Sequence, residues 1–100
     1  MTPFKELDPL LHSQLRLAII SILISVDQAD FSYLRDMTEA TAGNLSTQIT
    51  KLKEGGYIEV KKSFRENYPL TRCRITPLGR KMFTEYVAAL NEYLKPGKGI

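Results

Sequence analysis

Gly55-Gly56 divides the chain into two regimes of periodicity. Before the pair, apolar residues recur at helical spacing; after it, they roughly alternate with polar ones, as strand residues do. Glycine accepts the left-handed backbone common just past a helix C-terminus, so the pair ends one helix and lets the chain reverse. Working back from it, a helix is predicted from Ala42 to about Glu54, with Thr41 as its cap. Glu39-Ala40-Thr41 is a tight connection from a short helix over residues 32–38, with Phe31, Leu34 and Met37 as its apolar positions. A longer helix is predicted from its cap Ser13 to about Val26. Its apolar residues Leu15, Leu17, Ala18, Ile19, Ile20, Ile22, Leu23 and Ile24 cover nearly the whole circumference, which makes it central and largely buried.

Beyond the glycines, residues 57–62 and 71–76 have strand composition, separated by a polar loop over 63–70. Pro77 fits the first turn of a last helix running to about Leu94, which Pro96-Gly97 stops. The order helix, helix, helix, strand, strand, helix gives an α+β, mostly α, fold class. It has a three-helix core, a two-stranded β wing and a long C-terminal helix, the winged helix-turn-helix arrangement. The 100 residues are expected to form one domain, 1–100.

That arrangement offers its third helix to a major groove and its hairpin to the neighbouring backbone. Around this helix, with Asn44 as origin, Leu52, Leu45 and Ile49 fall at about 80°, 100° and 140°, one core-facing stripe. The other side carries Asn44, Thr47, Thr50 and Lys51, with Ser46 and Gln48 on its flanks, and no acid before Glu54. Hydroxyls and amides of this kind donate to phosphates and read base edges. Charge distribution agrees. Residues 1–50 carry three basic side chains against six acidic, whereas 51–100 carry eleven against five. The formal net charge of +3 hides this asymmetry, which predicts a cationic face for a polyanion. In the hairpin, Lys61, Lys62, Arg65, Arg72 and Arg74 cluster, with Tyr68 near the tip. Arg72 and Arg74 should share a strand face opposite Cys73 and Ile75, a row of like charge that phosphates would compensate.

Three stretches carry a family resemblance. They are residues 10–19 (LLHSQLRLAI), residues 43–52 (GNLSTQITKL) continued by 56–60 (GYIEV), and residues 74–80 (RITPLGR). Together they resemble the compact winged-helix transcription regulators related to the MarR and ArsR groups, over roughly residues 8–94. The resemblance implies a dimeric double-stranded DNA binder, often a repressor, with Asn44, Ser46, Thr47, Gln48 and Lys51 on the recognition helix and residues 65–72 in the wing. Two positions depart from the pattern. Glu39 stands where relatives commonly have glycine, and Thr50 where they often have arginine. Metal sensing of the ArsR kind uses cysteine clusters, and this chain has one cysteine, Cys73.

The last helix has a wide apolar stripe. Met82, Phe83, Tyr86, Leu90, Tyr93 and Leu94, with Phe4, Leu7 and Leu11, are expected to form a homodimer interface, with 77–95 as the dimerisation helix. Two recognition helices roughly 34 Å apart would then favour a palindromic site. A small-molecule effector would have to sit between the dimer helices and the winged domain, and no residue pattern identifies one. No catalytic, cofactor or metal-ligand spacing appears, and His12, next to a helix start, reads as structural. No run is long and apolar enough to span a bilayer, and a cytoplasmic protein without membrane association is expected. The competing expectation is a winged-helix module that uses the same surface to bind protein.

Overall fold

The computed structural model describes residues 4–95. Its elements are α1 (Gln14–Val26), β1 (Gln28–Asp30), α2 (Phe31–Thr38), α3 (Ala42–Glu54), β2 (Ile58–Arg65), β3 (Tyr68–Ile75) and α4 (Pro77–Leu94). The winged-helix order is the one the periodicity predicts. The stop at Pro96-Gly97 lies outside the described residues.

Local chemistry sets the helix ends. The Thr41 side chain accepts from the Asn44 N–H at 3.2 Å, capping α3. At the other end Gly56 takes φ +82°, and the bonds Tyr57 N–H to Leu52 C=O and Gly56 N–H to Lys53 C=O close a Schellman turn. Asp30 caps α2 through the Tyr33 N–H at 2.8 Å, so this helix begins one residue before the predicted start. Thr76 caps α4 by accepting from Gly79 N–H, with Pro77 in its first turn as expected. Ser13 does occupy the N-cap position of α1, but its hydroxyl makes no capping bond.

The sheet departs from the two-stranded expectation. β1 pairs antiparallel with β3 (Gln28 opposite Arg74, Ala29 opposite Cys73, Asp30 opposite Arg72), giving the order β1-β3-β2. Three residues show no periodicity, and this strand exists because β3 offers it an edge. The polar loop expected over 63–70 is also mostly strand. Glu66 and Asn67, both at positive φ, form a two-residue turn that Arg65 and Tyr68 close. Pro69 is tolerated because β3 has only β2 beside it at that level, leaving its N side on an open edge.

The core is built from Leu11, Ile19, Ile20, Leu23, Leu34, Leu45, Leu52 and Cys73, all fully buried, with Ile49, Ile58, Ile75 and Tyr86 joining them. Full burial of each such aliphatic side chain contributes about 1.5–3 kcal/mol, so Leu45, Ile49 and Leu52 fix the rotation of α3 firmly. Gly79 allows the start of α4 to press on the turn before β2. A Cβ there would lie 2.2 Å from the Tyr57 carbonyl oxygen and 2.9 Å from Ile75 Cγ1.

Two residues expected at a dimer interface belong to the monomer instead. Leu11 is 0% exposed beneath α1, and Tyr86 is 5% exposed with its hydroxyl 3.0 Å from His12 Nδ1. The stripe on α4 divides accordingly. Tyr86 and Ala89 face inward, whereas Val87, Tyr93 and Leu94 are exposed and Met82, Phe83 and Leu90 are half-buried. Phe4 stacks obliquely on Tyr93 with ring centroids 5.2 Å apart, and the Tyr93 hydroxyl donates to Lys5 C=O. Leu7 packs half-buried against the core.

Candidate nucleic-acid interface

The polar side of α3 is open. Asn44, Ser46, Thr47, Thr50 and Lys51 are exposed, while Gln48 is half-buried. Lys53 is also exposed, but it lies beside the Ile49 edge of the core stripe, half a turn around the helix from Asn44. Glu54 is the one acid of the helix, in its last turn. Among the described residues none of these side chains makes an ion pair.

Within this face the hydroxyls and amides are already organised. Thr47 Oγ1 donates to Gly43 C=O and Thr50 Oγ1 to Ser46 C=O, each at 3.0 Å. These bonds occupy the hydroxyl protons, so a phosphate partner would have to draw each hydroxyl away from its own helix. Gln48 is held at both ends, accepting from Arg16 Nη1 at 2.5 Å and donating from Nε2 to Asn44 Oδ1 at 3.0 Å. Arg16 thus takes the amide oxygen of Gln48, and Asn44 takes one of its two Nε2 protons.

At the start of α3, Gly43 carries a further signal. A Cβ built there has no heavy atom within 4 Å, and its backbone is ordinary helix. Neither strain nor packing within the chain calls for glycine at this point.

The ribbon sorts its charges by face, because opposite residues of an antiparallel pair share a side. Ile58, Val60, Lys62 and Phe64 pair with Ile75, Cys73, Thr71 and Pro69 on the side that reaches the core. Glu59, Lys61, Ser63 and Arg65 pair with Arg74, Arg72, Leu70 and Tyr68 on the other. Arg72 and Arg74 do share a face opposite the buried Cys73 and Ile75, as the alternation predicts. Lys62 is separated from the other four cations. The like-charge argument also needs correction. Arg74 stands opposite Glu59, and Arg72 opposite Asp30 on β1, so both arginines have acids as cross-strand neighbours. Only Lys61 opposite Arg72 is a like-charge pair. The cationic reach of the hairpin rests on Lys61, Lys62 and Arg65, all exposed, near Phe64 and Tyr68, which are 78% and 75% exposed at the tip.

Other polar groups serve the frame. The Tyr57 hydroxyl donates to Asp8 Oδ2 at 2.5 Å, and burial together with that carboxylate drives its pKa far upward. Arg80 pairs with Asp27 at 2.6 Å, tying α4 to the end of α1. Burial pushes the Cys73 thiol up to about 11. Among the described residues no group of His, Cys, Asp or Glu is placed to hold a metal, and no helix is long and apolar enough to cross a membrane.

Known proteins share this arrangement. Residues 15–94 match a family described as "Winged helix DNA-binding domain". A Methanocaldococcus jannaschii protein, "Uncharacterized protein MJ0432", is 34% identical over 76 residues, covering 76% of this chain and 83% of its own. A transcriptional regulator homologue from Pyrococcus horikoshii OT3 superposes with a TM-score of 0.79 at 26% identity, covering 85% of this chain and 84% of that one. A MarR-family transcriptional regulator from Silicibacter pomeroyi shares the fold at a TM-score of 0.65 and 17% identity, covering 89% of this chain and 61% of that one. With the family match extending over most of its length and the open α3 face in place, the chain belongs to the winged helix DNA-binding domain family.

Proposed function

We propose that the chain is a sequence-specific double-stranded DNA-binding transcription regulator of the cytoplasm, acting as a homodimer on a palindromic operator, in most settings as a repressor. The observation that carries this reading is the uncovered face of α3, where Asn44, Ser46, Thr47, Thr50 and Lys51 are exposed on a helix anchored by three buried aliphatic residues. Such a face offers donors and positive charge to base edges and phosphates. Lys61, Lys62 and Arg65 of the wing supply further phosphate contacts.

The homodimer rests on α4. Of its 18 residues only Gly79, Tyr86 and Ala89 are buried. Phe83, Val87, Leu90 and Leu94 lie within about 60° of one another around the helix, a flank that the rest of the chain does not cover fully. Val87, apolar and exposed but not among the residues expected at the interface, belongs to this flank. Met82, Tyr93, Phe4 and Leu7 border it. A second copy packing on that flank would set two α3 helices for successive major grooves.

Selection of bound sequences from a random duplex pool tests both parts. The expected product is an inverted repeat with half-site centres one helical turn apart, about 10 base pairs. Enrichment of no sequence, or of single half-sites alone, contradicts the reading. In sedimentation, Val87→Glu with Leu94→Glu is expected to give monomers where the wild type gives dimers.

A further inference from the structure

We infer that Arg16 and Gln48 form a relay that turns the Asn44 side chain so that it offers a hydrogen-bond donor to the major groove, making Arg16 a positioning residue for base selection. The inference rests on the DNA-binding reading above and deepens it. It follows from the chemistry of three groups. A guanidinium only donates, so the Gln48 atom 2.5 Å from Arg16 Nη1 must be the amide oxygen. The Gln48 nitrogen is then committed to the other end, where it meets Asn44 at 3.0 Å. Facing a donor, Asn44 must present Oδ1. Its Nδ2, with two protons, is the end left outward, and it makes no hydrogen bond within the described residues.

The relay begins at a fixed point. Arg16 Nε donates to Leu10 C=O at 2.6 Å, and Nη2 lies 3.4 Å from Pro9 C=O. Leu10 is itself held, its N–H donating to Asp8 Oδ1, while Asp8 Oδ2 accepts from Tyr57. Arg16 and Gln48 are both half-buried, and Asn44 is exposed. The donor is thus set by groups behind the helix before any partner arrives.

A preset donor discriminates. Guanine and thymine present only acceptor atoms in the major groove, O6 and N7 or O4, whereas adenine and cytosine each present an amino group. Adenine also offers its N7 acceptor, so under Asn44 an outward donor accepts guanine, thymine or adenine and disfavours cytosine, which offers no acceptor. A single well-placed hydrogen bond corresponds to a preference of about fivefold.

The test is Gln48→Glu. The carboxylate so introduced accepts from Arg16 at one oxygen and can only accept from Asn44 at the other, so the Asn44 amide turns over and presents Oδ1. Selection from the same random duplex pool should show one position of the half-site changing from rejection of cytosine to rejection of guanine and thymine, with the other positions unchanged. Arg16→Met should level that position to within about twofold. A readout without DNA accompanies these. In the free wild-type protein the Gln48 side-chain NH2 should be as rigid as the backbone by its nitrogen relaxation, and mobile in Arg16→Met. Duplex binding with a base preference that Gln48→Glu leaves unmoved, or a Gln48 NH2 already mobile in the wild type, overturns the relay alone. Absence of duplex binding in every variant and the wild type overturns the DNA reading instead.

Discussion

Replacing Gly43 by alanine separates what the chain needs for itself from what it keeps for a partner. Glycine inside a helix costs about 0.5–1 kcal/mol relative to alanine, through the extra freedom of its unfolded backbone. No atom of the chain stands within 4 Å of the added methyl, so nothing offsets the gain. For a domain of this length 1 kcal/mol moves the melting midpoint by about 4–8 °C, and Gly43→Ala should therefore melt roughly 2–8 °C higher. If the missing Cβ lets the start of α3 approach a phosphate closely, the same variant should bind duplex DNA more weakly. Gly43→Gln, longer but still a good helix former, should bind more weakly again while remaining folded. Thermal melting by circular dichroism and duplex titration by fluorescence anisotropy measure the two sides. A lower melting point would mean that the space is not open. Unchanged affinity in both variants would mean that this end of α3 does not touch DNA, and the glycine would be left without a reason.

Further outcomes follow from the frame. Gly79→Ala should lower stability by about 1–3 kcal/mol, because its methyl meets the Tyr57 backbone carbonyl and α4 must shift to admit it; denaturant unfolding measures it, and a neutral result would contradict the close approach. Glu39 occupies a left-handed backbone position at φ 57°, so Glu39→Gly should raise stability by roughly 1 kcal/mol, the strain relieved exceeding the entropy added; a loss would show the turn unstrained. Cys73, fully buried with its thiol pushed up to about 11 from an ordinary 9.0, should resist thiol reagents at pH 8 until the chain unfolds. Because its folded value lies above the unfolded one, its contribution is complete below pH 9 and is lost as pH rises from about 9 to 11, so Cys73→Ala should flatten any fall in stability across that window.

What the sequence revealed depended on how local each signal was. Thr41, Pro77 and Gly55-Gly56 act on backbone groups a few residues away, and the boundaries they mark agree with the structure. β1 gave no signal because Gln28, Ala29 and Asp30 become a strand only through pairing with β3, more than forty residues later. The tight wing turn was hidden because Glu66-Asn67 lacks the glycine that usually marks such turns, though Asn67 is one of the residues that tolerates positive φ. Periodicity names the apolar stripe of α4 but does not say which part the monomer consumes, as it does at Tyr86, and Leu11, ahead of α1, has no periodic context that marks it as core. Gln48 has the composition of a reading residue, but that Arg16, thirty-two positions earlier, holds its amide oxygen is invisible in the sequence. Strand register, likewise, put Asp30 and Glu59 beside the arginines and Lys62 on the far face, which no run of charges in one strand can disclose.

The central claim is that an open face on α3 and a cationic wing meet a polyanion, and the salt dependence of duplex affinity tests it most directly. Each phosphate neutralised contributes about 0.9 to the slope of log affinity against log salt. The wild type should show a steep linear fall equivalent to several contacts, and Lys51→Ala and Arg65→Ala should each flatten it by about one such contact. Duplex affinity that is flat with salt, or slopes identical in wild type and both variants, would contradict the account.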